Sequence, residues 1–256
     1  IGAQGVALTA GRSLAVDRKH IPLGVPVWLN TLQPGKSKTP LRRLVLAQDT
    51  GSAIQGPVRG DLFFGFGNDA GIGACLNTLP APSRELGVPH YFTLRGIYEA
   101  NSLDGAVEAV RRAERAIPAN IMLTTPQGPA DLEVTIDNVH VLTDDARGGV
   151  THTNHCLHPK LVPINERFPE LIQSYSRKQR VDTLVPDSTA DSTDDDDGTP
   201  VDLEPIKAAL RDHDGHPRSI CRHPNDDPET GFWTTVFSVI IEADQRRMHV
   251  TRGTPC

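Results

Sequence analysis

Two aspartates in a glycine-rich stretch have the setting of a catalytic acid. Asp49 and Asp61 lie in residues 47–64, AQDTGSAIQGPVRGDLFF. Cleavage of a glycosidic bond needs a carboxylic acid that protonates the leaving oxygen. The apolar run Leu62–Phe64 could raise the pKa of Asp61, and the glycines allow a polysaccharide to approach the backbone. The stretch therefore predicts a glycan-cleaving site, with turn capping as the alternative role of these carboxylates.

A second group of polar residues has the composition of an acyl-transfer site. It comprises HTNH at 152–155 and SICR at 219–222. Acyl transfer from an amide needs a nucleophile, a base and an oxyanion hole. The side-chain amide of Asn154 could donate to an oxyanion. The alternative is that Asn154 stabilises a turn, and the residues alone leave both roles open.

The spacing of cysteines, histidines and acidic residues does not indicate a metal site. The four cysteines are far apart and form no CxxC pair; they are Cys75, Cys156, Cys221 and Cys256. His152, His155 and His158 could ligate zinc, but their spacing alone does not establish a site. The run 187–198, DSTADSTDDDDG, lacks the spaced Gly and Glu of an EF-hand. It predicts a solvated, mobile loop, with a divalent-cation site as the alternative. The sequence thus predicts free thiols, no metal and no cofactor.

The composition limits the classes of partner. The chain has 256 residues and a formal net charge of −6, which gives no electrostatic case for a nucleic-acid partner. No apolar run approaches the roughly 20 residues of a membrane span. The sequence begins at Ile1 without a basic-then-apolar leader, which is expected of a mature form or of a fragment.

The elements that must position these residues differ along the chain. Residues 1–64 contain short apolar runs between Gly and Pro, which predict a small β-barrel; the runs are Val6–Leu8, Val25–Leu29 and Leu44–Ala47. After Val88 the spacing predicts helices over 90–100, 103–113, 168–184 and 205–211. Asn101-Ser102 offers the cap of the second helix. Strands are predicted over 120–124, 132–136 and 139–143, with 247–251 pairing back on 232–243. This part is mixed α and β with an antiparallel sheet.

Four segments of the first 67 residues carry a family resemblance: GRSLAVD (11–17), IPLGVPVWL (21–29), AQDTGSAIQG (47–56) and RGDLFFGFG (59–67). They resemble the three-aspartate domain of the membrane-bound lytic murein transglycosylase A family. The resemblance implies a double-psi β-barrel. It also implies that Asp61 is the general acid/base, Asp49 a supporting carboxylate and Asp17 a substrate-binding residue. The larger substrate-binding domain of that family and the last strand of its barrel are not recognisable in the sequence.

Seven later segments carry a second resemblance: NDAGIGACLNTL (68–79), GVPHYFTLRGIYEANSLDGAVE (87–108), ANIMLTT (119–125), GGVTHTNHCL (148–157), RKQRVDTL (177–184), DGHPRSICRHP (214–224) and TVFSVIIEADQRRMHVTRGTPC (235–256). They resemble the isopenicillin-N acyltransferase family of N-terminal-nucleophile cysteine hydrolases. The resemblance implies a four-layer αββα sandwich in which Asn154 is the oxyanion-hole residue. It places Ser219, Arg222 and His152 among the substrate-binding residues.

The nucleophile of the second family has no counterpart at the expected place. Such enzymes cleave themselves before a cysteine, whose thiol then attacks while its freed α-amine acts as the base. The nucleophile strand precedes the NDAG segment, and here that territory holds the transglycosylase-like sequence. Cys75 is the candidate substitute, but it follows Ala74 and the resemblance places it on an interior strand.

The whole chain is therefore predicted to be α+β and chimeric. Residues 1–67 are expected to form a partial double-psi β-barrel. Residues 68–256 are expected to form a partial αββα N-terminal-nucleophile sandwich with the acidic loop 187–198. The join, GFGNDAG at 65–71, fits both families.

The predicted function follows from this join. It is an acyltransferase or amide-hydrolase segment without its nucleophile, fused to a peptidoglycan lytic transglycosylase segment that retains Asp61. The alternatives are an active transglycosylase that releases anhydro-muramic products and a non-catalytic fragment. The predicted partners are a glycan strand or a small amide or acyl compound, and a second copy of the chain through an exposed sheet edge. The predicted location is the cell envelope or periplasm for a transglycosylase and the cytoplasm for an acyltransferase.

Overall fold

The structure is a computed structural model that describes most of the chain. The described residues are 2–6, 8–9, 11–32, 39–51, 54–57, 59–62, 67–68, 70–143, 148–169, 174–185, 202–228, 231–242, 247–251 and 253–256. The acidic run 187–198 and residues 65, 66 and 69 of the join at 65–71 lie outside them. The described backbone forms two compact units, Ile1–Asn68 and Asp69–Cys256.

The first unit is a curled, four-stranded mixed sheet that forms half of a barrel. Its strands are β1 (Ser13–Val16), β2 (Pro26–Leu32), β3 (Pro40–Asp49) and β4 (Gly60–Leu62), in the order β2-β3-β1-β4. β1 runs parallel to β3, and the other pairs are antiparallel. The buried side chains of Leu14, Val16, Val45 and Ala47 form its core.

The β2–β3 ribbon is apolar on both faces. Val27 faces the core, while its neighbour Trp28 points away from it, as the two-residue period of a strand requires. Trp28 pairs with Leu44 across the ribbon, and these side chains are 63% and 51% exposed. The sheet therefore buries one of its two apolar faces.

The second unit is built on an antiparallel sheet with helices on one face. The strands are β5 (Gly73–Thr78), β6 (Ala119–Thr124), β7 (Ala130–Val134) and β8 (Val139–Thr143), in the order β5-β6-β7-β8. Helices α1 (His90–Tyr98) and α2 (Leu103–Arg111) cover the face that carries Ile121 and Leu132. β5 and β8 are the edges of this sheet, and pairing of an edge with a second copy of the chain stays a prediction.

The predicted start of α2 is confirmed by its capping geometry. The Ser102 hydroxyl accepts a hydrogen bond from the backbone N–H of Gly105 at 3.2 Å, and Asp104 lies in the first turn. α1 ends at Tyr98, two residues before the predicted end at Ala100. The chain leaves the first helix there because Ser102 must adopt an extended conformation to cap the second.

The remaining elements are short. They are α3 (Val162–Asn165), α4 (Tyr175–Leu184), α5 (Glu204–Leu210), β9 (Val239–Glu242) and β10 (Arg247–Val250), with β9 and β10 paired antiparallel. The predicted helix at 168–184 is helical from Tyr175, and residues 170–173 lie outside the described part. Within the described residues 232–242 of the predicted strand 232–243, only Val239–Glu242 is strand. The mixed α+β class is confirmed by these elements.

No helix within the described ranges has the length and apolar character needed to cross a bilayer.

Candidate functional site

In the first unit, the sheet register brings Asp49 and Asp61 to the two sides of Ala15. Ala15 on β1 pairs with Asp49 on the parallel strand β3 and with Asp61 on the antiparallel strand β4. A register shift after Leu14 sets Asp49, rather than Gln48, opposite Ala15. Directly opposed residues share a face, so both carboxylates rise beside a methyl group, with Cα atoms on the order of 10 Å apart, two strand spacings.

The carboxylates of Asp49 and Asp61 differ in their exposure and in their contacts. The side chain of Asp61 is 61% exposed and lies 3.9 Å from the Nε of Arg59. The Oδ1 of Asp49 accepts a hydrogen bond from the backbone N–H of Ala3 at 2.9 Å. Asp61 is thus the carboxylate that a ligand can reach, and Asp49 also fixes the amino-terminal segment. The phenylalanines that follow Leu62 lie outside the described residues.

Asp17, the third predicted aspartate, accepts hydrogen bonds from backbone N–H groups in two turns. Its Oδ2 accepts from the N–H of Gly56 at 2.8 Å, and its Oδ1 accepts from the N–H of Lys19 at 3.0 Å. These bonds, led by the one from Gly56, lower the pKa of Asp17. The turn-capping alternative therefore describes its contacts, and its role as a substrate-binding residue stays a prediction.

In the second unit, the face of the β5–β8 sheet opposite the helices carries buried polar side chains. Strand alternation directs Asn120 of β6 and Asp131 and Glu133 of β7 to this face. All three are fully buried. The amide of Asn120 donates to the Oδ1 of Asp131. Burial raises the pKa of Asp131 to about 6.

Glu133 is the anchor of the loop that contains HTNH. Its carboxylate bonds the Nε2 of His152 at 2.9 Å and accepts from the backbone N–H of Leu157 and of His158, the last at 3.0 Å. Burial opposes ionisation of Glu133, but these hydrogen bonds outweigh it and lower the pKa of the carboxyl. The ring of His152 is fully buried beneath the loop. A substrate contact by His152 stays a prediction.

The loop presents Asn154 in a fixed orientation. Its Oδ1 accepts from the Nη2 of Arg177 at 2.9 Å. Its Nδ2 consequently points the other way, towards the carbonyl and hydroxyl oxygens of Thr78 on β5, at 3.3 and 3.4 Å. The Asn77 amide also donates to the carbonyl of Thr153. An amide held in this way is a preorganised hydrogen-bond donor.

Two guanidinium groups belong to this part of the unit: that of Arg177, which bonds the amide, and that of Arg222, whose charge acts on Arg177. Burial lowers the pKa of Arg177 to about 10, and the positive charge of Arg222 adds to that effect. The Nη2 of Arg222 is buried and has no hydrogen-bond partner among the described residues. Burying an unpaired charged donor is costly, so this atom is a candidate contact for an anionic group.

Ser219 contacts the side chain of Arg222 through its backbone carbonyl. Its buried hydroxyl donates to the carbonyl of Cys221 at 2.5 Å, and its own carbonyl accepts from the Nε of Arg222 at 3.4 Å. The structure therefore brings Ser219 and Arg222 together, while its contacts give the serine a positioning role.

The sequence reading missed Glu133 and Arg177 as members of this site. Asp131 and Glu133 alternate with apolar residues along β7, a pattern that predicts a strand with one solvent face, yet both faces of that strand are buried. Charged residues are almost never fully buried unless paired, so this alternation by itself favours exposed carboxylates and carries no signal for the site. Arg177 begins the segment RKQRVDTL, where nothing local distinguishes it from the other basic residues.

The described thiols and histidines near the loop do not form a nucleophile–base pair, whereas His152 lies with Asp131 and Glu133 in a group whose potential ligand atoms are within 4.8 Å of one another. Burial raises the pKa of Cys75, and it raises the pKa of Cys156 to about 12. His155 bonds the Ser174 hydroxyl at 2.7 Å, and burial lowers the pKa of His155 to about 4. The rings predicted as alternative zinc ligands have separate partners: His152 meets Glu133, His155 meets Ser174, and His158 stacks on His140 at 4.2 Å.

Comparison with known proteins separates the two parts of the chain. Residues 12–78 match the 3D domain, and residues 63–256 match the family described as acyl-coenzyme A:6-aminopenicillanic acid acyl-transferase. Residues 63–78 belong to both matches, which places the overlap across the join predicted at 65–71. Both resemblances drawn from the sequence are thus confirmed.

Three similar proteins represent these families. The 40 kDa form of acyl-coenzyme A:6-aminopenicillanic-acid-acyltransferase of Emericella nidulans is 29% identical over 190 residues, covering 73% of this chain and 49% of that protein. The lytic transglycosylase LtgG of Burkholderia pseudomallei is 58% identical over 25% of this chain and 19% of its own, with a TM-score of 0.24. The membrane-bound lytic murein transglycosylase of Agrobacterium tumefaciens is 51% identical over the same shares, also with a TM-score of 0.24.

The chain spans about half the length of the curated relative, and less than a fifth of each of these two solved transglycosylases. The acyltransferase match covers most of the chain, and the 3D match covers its amino-terminal part. The chain therefore belongs to the acyl-coenzyme A:6-aminopenicillanic acid acyltransferase family, and a segment of the 3D domain precedes its family region.

Proposed function

We propose that the second unit binds a small amide or acyl compound that bears a carboxylate, and does not turn it over by itself. The observation that carries this proposal is the buried Nη2 of Arg222, which has no hydrogen-bond partner among the described residues. The charge of Arg222 acts on Arg177, and Arg177 bonds Asn154. A carboxylate placed there would pair with the guanidinium, and the Asn154 amide would donate to a carbonyl or to an oxyanion.

The absence of turnover follows from the thiols. A cysteine attacks as its thiolate, and a catalytic cysteine therefore has a lowered pKa. The pKa values of Cys75 and Cys156 are raised, so both thiols are protonated at neutral pH. Cys75 also follows Ala74 within β5, without the free α-amine that would act as the base.

The name of one relative suggests a ligand with which to measure binding. The curated relative is named for 6-aminopenicillanic acid, a small compound with one carboxylate and an amine. We expect the full chain to bind this compound, and Arg222→Gln to weaken binding by at least about 30-fold, because losing one partner of a buried charge pair costs 2 kcal/mol or more. Isothermal titration calorimetry measures this difference.

The matched control is Arg111→Gln, which removes an exposed arginine at the end of α2. Equal affinities of Arg222→Gln and the unaltered chain would contradict the proposed pocket. Intact mass after incubation with a thioester of the acyl donor tests turnover separately, and an acyl adduct or a self-cleaved chain would contradict an incomplete active site.

We also propose a specific fold for each part of the chain. Residues 1–67 would be a partial double-psi β-barrel, and residues 68–256 a partial αββα sandwich. The mixed pairing of β1 with β3 and β4 supports the first, and the helical layer of α1 and α2 on the β5–β8 sheet supports the second.

A second candidate function rests on the arrangement around Ala15. A lytic transglycosylase needs one acid and no attacking water, because a hydroxyl of the sugar closes the ring. Asp61 would supply that acid, with Asp49 one strand spacing beyond Ala15. The names of the transglycosylase relatives make the murein glycan strand the substrate of choice.

The test of this second function compares Asp61→Asn with the unaltered chain on purified peptidoglycan. If Asp61 is the acid, the clearing of turbidity should slow by about 100-fold or more, as expected when a general acid is lost. Mass spectrometry of the products should show anhydro-muramic ends. The control is Asp104→Asn on α2, and equal clearing by Asp61→Asn and this control would reject Asp61 as the acid.

A further inference from the structure

Four potential metal ligands converge near the carboxyl end of the second unit. We call them the two-Cys two-His cluster; its members are His213, Cys221, His223 and Cys256. One ligand atom from each lies within 4.8 Å of all the others. The group shares no residue with the Asn154 site, and no spacing rule predicts it, because its members come from three separate parts of the sequence.

The distances fit a tetrahedral cation. With Zn–S near 2.3 Å and Zn–N near 2.0–2.1 Å, a tetrahedron has S–S, S–N and N–N separations of about 3.8, 3.6 and 3.3 Å. In the cluster, the sulfurs of Cys221 and Cys256 are 3.6 Å apart. The Nε2 of His223 lies 3.8 and 3.2 Å from them. The Nε2 atoms of His213 and His223 are 2.9 Å apart. Four donors are thus already gathered around one point.

The backbone around the cluster is built to hold this arrangement. The N–H of Cys221 donates to the carbonyl of Asp212 at 2.9 Å, which links this ligand to the residue beside His213. Arg211 donates to the carbonyl of Pro255 at 2.9 Å and so fixes the position of Cys256. The Asp212 carboxylate is itself held by two hydrogen bonds from Arg180, at 3.0 and 2.7 Å. Such outer contacts orient ligands in metal sites.

We propose that the two-Cys two-His cluster is a structural Zn²⁺ site. Two sulfur and two imidazole ligands in tetrahedral geometry select zinc among the common divalent cations. Binding converts two thiols to thiolates and releases two protons to solvent, and both imidazoles bind as neutral ligands. No electron transfer is involved. The ion would tie the carboxyl-terminal segment to the loop that follows α5.

A disulfide between Cys221 and Cys256 is the competing use of these sulfurs. Both cysteines are free thiols in this structure. A disulfide would need only the two sulfurs, whereas here two imidazole nitrogens also approach the same point. The convergence of all four donors therefore favours a cation over a disulfide.

The experiment measures the metal content of the full chain after purification under reducing conditions without chelator. We expect one zinc per chain by elemental mass spectrometry. Replacement of the zinc by Co²⁺ should give the visible and thiolate charge-transfer absorption of a tetrahedral S₂N₂ site. Cys256→Ser and His213→Ala alter exposed residues and should leave the fold intact. Each should weaken Co²⁺ binding by more than the roughly 10- to 100-fold typical of a lost outer-shell partner.

Matched controls come from the other two cysteines. Cys75→Ser and Cys156→Ser remove thiols outside the cluster and should leave the zinc content and the Co²⁺ spectrum unchanged. The proposal is overturned if the unaltered chain neither retains zinc nor binds Co²⁺. It is equally overturned if Cys75→Ser reduces binding as much as Cys256→Ser, or if intact mass and thiol alkylation show a Cys221–Cys256 disulfide under these conditions.

Discussion

Replacing Glu133 with alanine is expected to lower the free energy of unfolding by about 3–5 kcal/mol, the cost of leaving a buried polar partner uncompensated. Glu133 is fully buried and bonds the ring of His152 and the backbone N–H groups of Leu157 and His158. Alanine offers no acceptor, so the ring of His152 and the two backbone N–H groups lose this partner. A whole domain has only about 5–15 kcal/mol of stability, so this change alone could unfold the unit.

Urea unfolding followed by circular dichroism measures the effect of Glu133→Ala. The control is Glu99→Ala, because Glu99 forms a partly exposed ion pair with Arg95 on α1 at 3.2 Å. Such pairs contribute at most about 1 kcal/mol. If Glu133→Ala costs no more than Glu99→Ala, the loop is not anchored by this carboxylate, and the fixed orientation of Asn154 loses its physical basis.

Replacing Asp131 with asparagine is expected to change how stability depends on pH. Burial raises the pKa of Asp131 from 3.8 to about 6. The folded state therefore holds a proton between these values that the unfolded chain releases, and stability falls as the pH rises from about 4 to 6. A shift of about two pKa units corresponds to about 3 kcal/mol. Asparagine does not titrate at this position. The difference in unfolding free energy between Asp131→Asn and the unaltered chain should therefore shift by about 3 kcal/mol in favour of the variant from pH 4 to pH 7.

His155 acts in the opposite direction over nearly the same range. Burial lowers its pKa from 6.5 to about 4, so the unfolded chain binds the proton first and stability is lost as the pH falls from 6.5 to 4. In the unaltered chain, the two buried groups roughly offset each other. Asp131→Asn removes one of them and should expose a steep loss of stability towards acid.

Unfolding free energies at pH 4, 5.5 and 7 test this offset. Asp104→Asn, on an exposed position of α2, is the matched control and should change the pH dependence of stability less than Asp131→Asn does. The double variant Asp131→Asn, His155→Asn should lose less stability between pH 7 and pH 4 than Asp131→Asn alone. A constant difference between Asp131→Asn and the unaltered chain at all three pH values would contradict a raised pKa at Asp131.

Local sequence signals predicted the elements whose bounds are set by a nearby cap or by an apolar run. α2 begins where Ser102 can cap it, and β6 and β8 follow their apolar runs to within one residue. β7 was predicted two residues too late. The Oγ1 of Thr135 accepts from the N–H of Asn138 at 3.0 Å, and this turn ends the strand at Val134. A side chain that bonds its own backbone competes with the sheet ladder, which an apolar pattern does not reveal.

The apolar run at 232–243 shows that a β-rich pattern alone does not fix the length of a strand. It predicted one long strand, yet only Val239–Glu242 pairs, with β10. Phe232 and Val236 remain 70% exposed. A β-rich run becomes a strand when another strand offers it a ladder and a surface to cover. Within the described residues, β10 pairs with only four of its positions.

The sequence by itself determined the order of the two family segments, the join between them, the mixed α+β class, and the importance of Asp61 and Asn154 as candidates. The tertiary structure decided which side chains meet. It set Asp49 and Asp61 around Ala15 through a one-residue register shift, and it turned His152 onto Glu133. It also gathered the two-Cys two-His cluster from positions up to 43 residues apart. Composition and spacing record only neighbours along the chain, whereas burial and strand pairing join residues whose separation in sequence carries no signal.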